Sequence, residues 1–287
     1  MEKGRIIKLI GGIYTVMDES GQTHTLRPRG VFRHTKENPK VGDWVSFENT
    51  IINKLHPRNT DLVRPPIANI DQALLISSLK RPDFSFYLLD RFLLLVNSKG
   101  IDPIIVVNKT DLVEETRLEE LKATLNYYDQ YFPVYYVSAK VERTVETLKE
   151  VFADRLTVLA GQSGAGKSAL LNAMNTDFAL KEGETSKALG RGRHTTRHVE
   201  LHRLEGGLVA DTPGFSKLDF SDFEVWDIPH FYPDFFDRSS MCKFNECQHL
   251  KEPGCAIKKA VDAGEIPRSR YDNYVKIYEE IETQTKW

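Results

Sequence analysis

The run Gly161-Gln162-Ser163-Gly164-Ala165-Gly166-Lys167-Ser168 has the spacing of a phosphate-binding loop, two glycines five apart followed by Lys and a hydroxyl residue. Its glycines let the backbone curl so that N–H groups converge on an anion, and the start of a following helix adds positive potential. In such a loop Lys167 would meet the β- and γ-phosphates, and Ser168 would ligate the Mg²⁺ that accompanies a nucleotide. A second run, Asn108-Lys109-Thr110-Asp111, selects the base. The Asp111 carboxylate can accept from both N1–H and the exocyclic amine of guanine, whereas adenine offers no such donor pair and would leave the carboxylate unpaired. Ser138-Ala139-Lys140 sits where a backbone N–H would meet guanine O6.

Two further runs would act on the γ-phosphate. Asp211-Thr212-Pro213-Gly214 follows an apolar stretch: Asp211 would hold Mg²⁺ through water and the Gly214 N–H would contact the γ-phosphate, as in a nucleotide switch. Gly190-Arg191-Gly192-Arg193-His194-Thr195-Thr196-Arg197 is basic and carries threonines suited to a first switch, and spacing does not separate Thr195 from Thr196 as the Mg²⁺ ligand. The residue after Gly214 is Phe215, whose apolar ring cannot align an attacking water. His194 is therefore the candidate for that polar contact, with a partner ordering it. His194, His198 and His202 recur every four residues, but Val199 and Leu201 alternate with His198, Glu200 and His202 as in a strand, so these histidines read as a polar strand face.

Cys242, Cys247, His249 and Cys255 form a C-x4-C-x-H-x5-C string that holds all three cysteines of the chain. Three thiolates and one imidazole make a closed tetrahedral Zn²⁺ site with no open position for catalysis. An odd number of cysteines cannot pair fully as disulfides. Zinc would supply folding energy to a short, loop-rich segment.

The elements that must position these groups are of two kinds. Residues 156–160 are an apolar strand leading into the phosphate loop, and residues 169–174 read as the helix after it. Residues 73–77, 103–107, 134–137 and 207–210 are further strand candidates. Leu88, Leu89, Phe92, Leu93 and Val96, then Leu118, Leu121, Leu125 and Tyr128, repeat at helical spacing. The alternation predicts an α/β domain with a mostly parallel sheet and helices on both faces. Residues 1–65 read instead as about five short strands, among them 13–17, 23–26 and 41–47, which suits a small barrel of the OB-fold kind. Within them, residues 26–34 place basic groups around Phe32 in an expected loop, as RNA binders do. Pro57 and the Pro65-Pro66 pair predict a linker near 57–67. From 221 the chain turns aromatic and polar, and Tyr271, Tyr274, Ile277 and Ile281 are spaced for one helix face. The expected modules are 1–65, 66–220 and 221–287.

Composition agrees with a folded, water-soluble chain: of 287 residues, 40% are hydrophobic and 28% charged, which excludes disordered and fibrous classes. No apolar stretch reaches the length of a signal peptide or membrane span, so a cytoplasmic protein is expected. The net charge of -2 hides a gradient: residues 1–65 carry 11 Lys/Arg against 7 Asp/Glu, and residues 221–287 carry 9 against 13. A basic N-terminal module suits a nucleic-acid partner.

The base-recognition runs precede the phosphate runs, which reverses the order of a Ras-like domain and marks a circular permutation. With the barrel and the Cys/His string, the whole chain resembles the bacterial ribosome-small-subunit-dependent GTPase A (RsgA) family, of the YjeQ and YloQ type. The resemblance implies an OB-fold barrel, a circularly permuted P-loop GTPase domain and a C-terminal zinc module. It further implies GTP hydrolysis stimulated by the small ribosomal subunit late in its assembly, rRNA contact, one structural Zn²⁺, and Mg²⁺ with GTP. Within Gly192-Arg193-His194-Thr195-Thr196 it implies His194 as the catalytic histidine and Thr196 as the Mg²⁺ threonine. Nothing in the sequence demands a membrane or a second copy, so a monomer is expected. Two other classes fit single motifs: a P-loop ATPase, and a non-hydrolysing RNA-binding adaptor with a zinc module.

Overall fold

Strand β1 (Glu2–Ile10) organises the N-terminal half by pairing antiparallel with β2 (Ile13–Asp18) on one side and with β4 (Trp44–Glu48) on the other. The structure is a computed structural model in which residues 1–33, 38–63, 65–175, 199–211, 220–221 and 223–285 are described. Strand β2 pairs with β3 (Thr23–Pro28), β3 runs parallel to β5 (Ile51–Leu55), and β5 returns antiparallel to β4, so five strands close into a barrel. Ile6, Val16, Leu26, Val45, Phe47 and Ile52 fill it and none exceeds 1% exposure. Arg27 and Pro28, expected in a loop, belong to β3, and Gly30–Arg33 forms a 3-10 turn. His34 lies outside the described residues.

The expected linker near 57–67 is a bonded strap. Arg58 donates to buried Asp43 over 2.7 and 2.8 Å and to Asp61 over 2.9 Å. Val41 bridges to Ile67, and Asn69 donates to the Gly42 carbonyl over 3.1 Å. Proline there prevents regular strand or helix, but side-chain hydrogen bonds order the backbone without either.

The second half of the sheet contains β6 (Gln72–Ser78), β7 (Asp102–Asn108), β8 (Val134–Tyr136), β9 (Leu156–Ala160) and β11 (Gly207–Asp211), parallel in the order β11-β9-β6-β7-β8, with β10 (Glu200–Leu204) antiparallel outside β11. Leu74, Ile76, Ile104, Val106, Leu159 and Val209 pack with α3 (Glu142–Lys149) and α4 (Lys167–Met174). The alternate residues Ala73, Leu75, Ile105, Val107 and Val158 belong to the cluster that includes α1 (Phe86–Ser98) and α2 (Glu115–Asp129). A sheet covered on both faces is why these strands read as unbroken apolar runs. Val199 and Leu201 are buried at 6% and 4% while Glu200 and His202 are less covered, as the strand alternation requires. Lys8 of β1 stands opposite Glu200 of β10 and pairs with its carboxylate at 2.8 Å, joining barrel and parallel sheet.

Beyond β11 come a 3-10 segment (Val225–Phe231), α5 (Pro233–Ser239), the cysteine loop, α6 (Ala256–Asp262) and α7 (Arg268–Thr285). On α7, Tyr274, Ile277 and Ile281 are fully buried. Arg270, 2% exposed, bonds to Asp90 of α1 and to Asp234 of α5, the latter over 3.0 and 3.1 Å. Tyr128 of α2 donates to Asp90 over 3.0 Å and Tyr127 to Asp234 over 2.9 Å, so one buried guanidinium ties the C-terminal helices to the parallel-sheet layer. Among the described residues no helix is long and apolar enough to cross a membrane.

Candidate functional site

The nucleotide runs fall at the C-terminal ends of strands: the phosphate loop after β9, Asn108 at the end of β7, Ser138 after β8 and Asp211 at the end of β11. In a parallel sheet these ends share one edge, and β9 lies between β11 and β6, which puts the phosphate loop near the middle.

Close packing explains two of the loop's glycines. Gly161 has φ 137°, and a Cβ there would lie 2.0 Å from the Ile76 carbonyl oxygen of β6. Gly166 has φ 94°, and a Cβ would lie 2.4 Å from Asn108 Nδ2. Only glycine combines these angles with that approach. The Asn108 amide donates to the Ala165 carbonyl over 2.9 Å, and its Oδ1 accepts from Lys109 N over 2.8 Å. Lys109, held in the left-handed region at φ 63°, sends its ammonium to the Gly164 carbonyl over 2.6 Å and to the Arg81 carbonyl. Its aliphatic stem thus lies along the phosphate loop, where it can underlie a base plane.

The base-reading carboxylate is braced from β8. Ser138 Oγ donates to Asp111 Oδ1 over 2.7 Å, Lys140 N donates back to Ser138 Oγ over 3.2 Å, and Thr110 Oγ1 donates to the Val137 carbonyl over 3.1 Å. The two base runs, 27 positions apart, therefore form one unit with Ala139 in its turn. On the phosphate side, Lys167 Nζ donates to the Gly161 and Gln162 carbonyls over 2.8 and 2.7 Å, and burial pushes its ammonium down to about 8. Ser168, 6% exposed, begins α4 beside it, while Gln162, Ser163 and Gly164 are exposed at the tip. The β11 backbone brings Asp211 to the same edge, paired with Glu200. His194, Thr196, Gly214 and Phe215 lie outside the described residues.

The Cys/His string also converges: one donor atom from each of Cys242, Cys247, His249 and Cys255 lies within 4.8 Å of every other. His249 Nδ1 stands 3.7 Å from Cys242 Sγ and 3.4 Å from Cys255 Sγ. A tetrahedral Zn²⁺ with Zn–S of about 2.3 Å and Zn–N of about 2.05 Å requires an S···N edge of about 3.5 Å, so the donor spacing fits that ion. Burial holds the His249 imidazole down to about 4, the neutral ligand form, and pushes the Cys247 thiol up to about 12, so a thiolate there needs a cation beside it.

Several supporting residues carry no motif. Glu252 accepts from the Gln248 and Leu250 amides, both over 2.9 Å, bracketing His249; burial acts to raise its carboxyl, but these amides hold it below the usual carboxylate range. Tyr271 and Tyr274 of α7 donate to the His249 and Gln248 carbonyls, each over 2.7 Å. Their helical spacing was visible in the sequence; their hydroxyl partners were not. On the barrel, Lys3 Nζ and the Arg5 guanidinium lie 5.0 and 5.3 Å from the Trp44 ring centre. Lys3 is exposed, whereas Arg5 is 8% exposed and bonded to the Gly42 and Asn69 carbonyls, so Lys3 and the Trp44 ring are what this part of the barrel offers a partner.

Comparison with known proteins places the whole chain. The RsgA GTPase family model matches residues 55–221 and the RsgA N-terminal domain model matches residues 3–54. The small ribosomal subunit biogenesis GTPase RsgA of Geobacillus sp. (strain WCH70) is 48% identical over 287 residues, 98% of each chain. Its namesake from Bacillus subtilis (strain 168) is 45% identical over 291, again 98% of each chain. Among solved structures, YloQ, described as a circularly permuted GTPase, superimposes with TM-score 0.86 at 42% identity, covering 99% of this chain and 96% of that one. YjeQ from Thermotoga maritima gives TM-score 0.87 at 34% identity, with 98% of both chains covered.

Proposed function

Because the chain belongs to the RsgA family of circularly permuted GTPases, we propose that it binds the small ribosomal subunit and hydrolyses GTP to GDP and phosphate late in that subunit's assembly. The observation that carries the nucleotide reading is the interlock at the sheet edge: Asn108 bonded to the phosphate loop, and Asp111 held by Ser138. In this reading Asp111 takes the guanine N1–H and amine, the Ser138-Ala139-Lys140 turn meets O6, and the loop amides with Lys167 cradle the phosphates. Ser168 and Thr196, with Asp211 acting through water, would hold the Mg²⁺ that accompanies GTP, which would supply positive charge against the phosphates. The Gly214 N–H contacts the γ-phosphate, and His194 orients the water that Phe215 cannot.

The remaining modules supply the partner. The barrel face around Trp44 and Lys3, on the basic module 1–65, is assigned to rRNA. Residues 66–220 form the GTPase module and residues 221–287 the zinc module, where Cys242, Cys247, His249 and Cys255 would hold one structural Zn²⁺. Gly214 and Phe215 lie shortly before that module in the chain, so GTP orders both switches, the barrel and zinc modules then clamp the small subunit, and hydrolysis releases the clamp. The protein acts as a cytoplasmic monomer. Equilibrium binding to purified small subunits tests the reading: the form loaded with a non-hydrolysable GTP analogue binds more tightly than the GDP form, and equal affinities contradict it.

A further inference from the structure

A cavity of about 460 Å³ lies against the cysteine loop and shares no lining residue with the nucleotide motifs. Its walls are aromatic: Trp226 and Phe236, 61% and 54% exposed, line it with His230, whose ring centre is 6.1 Å from that of Phe236. Large exposed rings that line one cavity mark a binding surface. Asp227 and Glu246 add two carboxylates, and among the described residues no Lys or Arg lines the cavity.

Carboxylates in the mouth and the net excess of acid over base in residues 221–287, 13 against 9, repel a phosphate backbone and attract a cation. Aromatic faces add attraction for an ammonium and more for a planar guanidinium. We infer that this cavity docks a basic protein segment: one Arg or Lys side chain enters between the rings of Trp226, His230 and Phe236 and the carboxylates of Asp227 and Glu246. The inference rests on the C-terminal module alone and does not depend on which particle the whole chain serves.

The test uses the full-length, zinc-loaded protein and three fluorescent probes: a short Arg/Gly peptide, the same peptide with Gln for Arg, and oligouridine. The Arg peptide binds, the Gln peptide binds at least about tenfold more weakly, and the Asp227→Asn/Glu246→Gln double variant loses about tenfold for the Arg peptide alone. Trp226→Ala loses a similar factor. Zinc content and basal GTP hydrolysis serve as folding controls and stay at the wild-type level. Failure of the wild type to bind the Arg peptide overturns the inference, as does equal binding of the two peptides or of wild type and double variant. Oligouridine binding that is lost in Trp226→Ala while peptide binding persists also overturns it, by assigning the cavity to a nucleobase.

Discussion

Asn108 and Ala165 are joined by a 2.9 Å hydrogen bond from the side-chain amide to the backbone carbonyl, across 57 positions of chain. Permutation places the base run before the phosphate run, and this bond restores their union in space. Removing it in Asn108→Ala leaves a buried carbonyl unpaired, at a cost of about 1–2 kcal/mol. GTP and GDP should both bind roughly tenfold more weakly, with the preference for guanine over adenine kept because Asp111 is untouched. Fluorescent-nucleotide titration checks this; unchanged affinity would show that the loop holds its shape without the bond.

Asp111→Asn exchanges a carboxylate for an amide that donates as well as accepts. The variant should lose affinity for GTP and gain it for xanthosine triphosphate, whose C2 carbonyl accepts where guanine donates. Competition between the two nucleotides reads the change, and a variant that keeps its GTP preference removes Asp111 from the base site.

Lys167 gives a pH dependence with a definite sign. Burial lowers its ammonium to about 8, and phosphate oxygens beside it raise that value in the complex. Binding therefore takes up a proton near and above about pH 8, so affinity declines as pH rises through that value and is insensitive to this group well below it. Calorimetry at about pH 8 in buffers of different ionisation enthalpy should show net uptake in wild type and none in Lys167→Met. Absence of uptake in wild type contradicts the assignment.

The cysteine loop is held from α7. Tyr271→Phe removes the 2.7 Å bond to the His249 carbonyl and should cost about 1 kcal/mol, seen as faster zinc transfer to a colorimetric chelator. Cys255→Ser should abolish stoichiometric zinc and lower the melting temperature of the whole protein. Zinc retention in that variant would place the ion elsewhere.

Arg270→Met leaves Asp90 and Asp234 buried without their cation, which should destabilise the fold by about 3–5 kcal/mol. Adding Asp90→Asn should recover part of the loss, because one buried charge disappears with the arginine. Urea denaturation of the wild type, Arg270→Met, Asp90→Asn and the double variant checks both steps, and additive losses would deny the coupling.

What the sequence disclosed and what it hid follow one physical line. The phosphate loop, the base runs and the Cys/His string are local spacings, and each strand that feeds them is a short apolar run, so they were legible. Strand β1 was harder, because Gly4 and Arg5 are buried there beside Ile6 and break the apolar alternation. The strap near 57–67 read as a linker because its order comes from Asp43, Arg58 and Asn69 side chains rather than from a period. The Asp90–Arg270 pair joins residues 180 positions apart, and no window of sequence contains it.

Phosphate release from GTP, measured with and without purified small ribosomal subunits, decides whether this chain is a subunit-stimulated GTPase. The protein alone should release phosphate slowly, the subunits should accelerate it strongly, and His194→Ala should lose that acceleration with GTP affinity nearly unchanged. Release that subunits leave unaltered would contradict that reading.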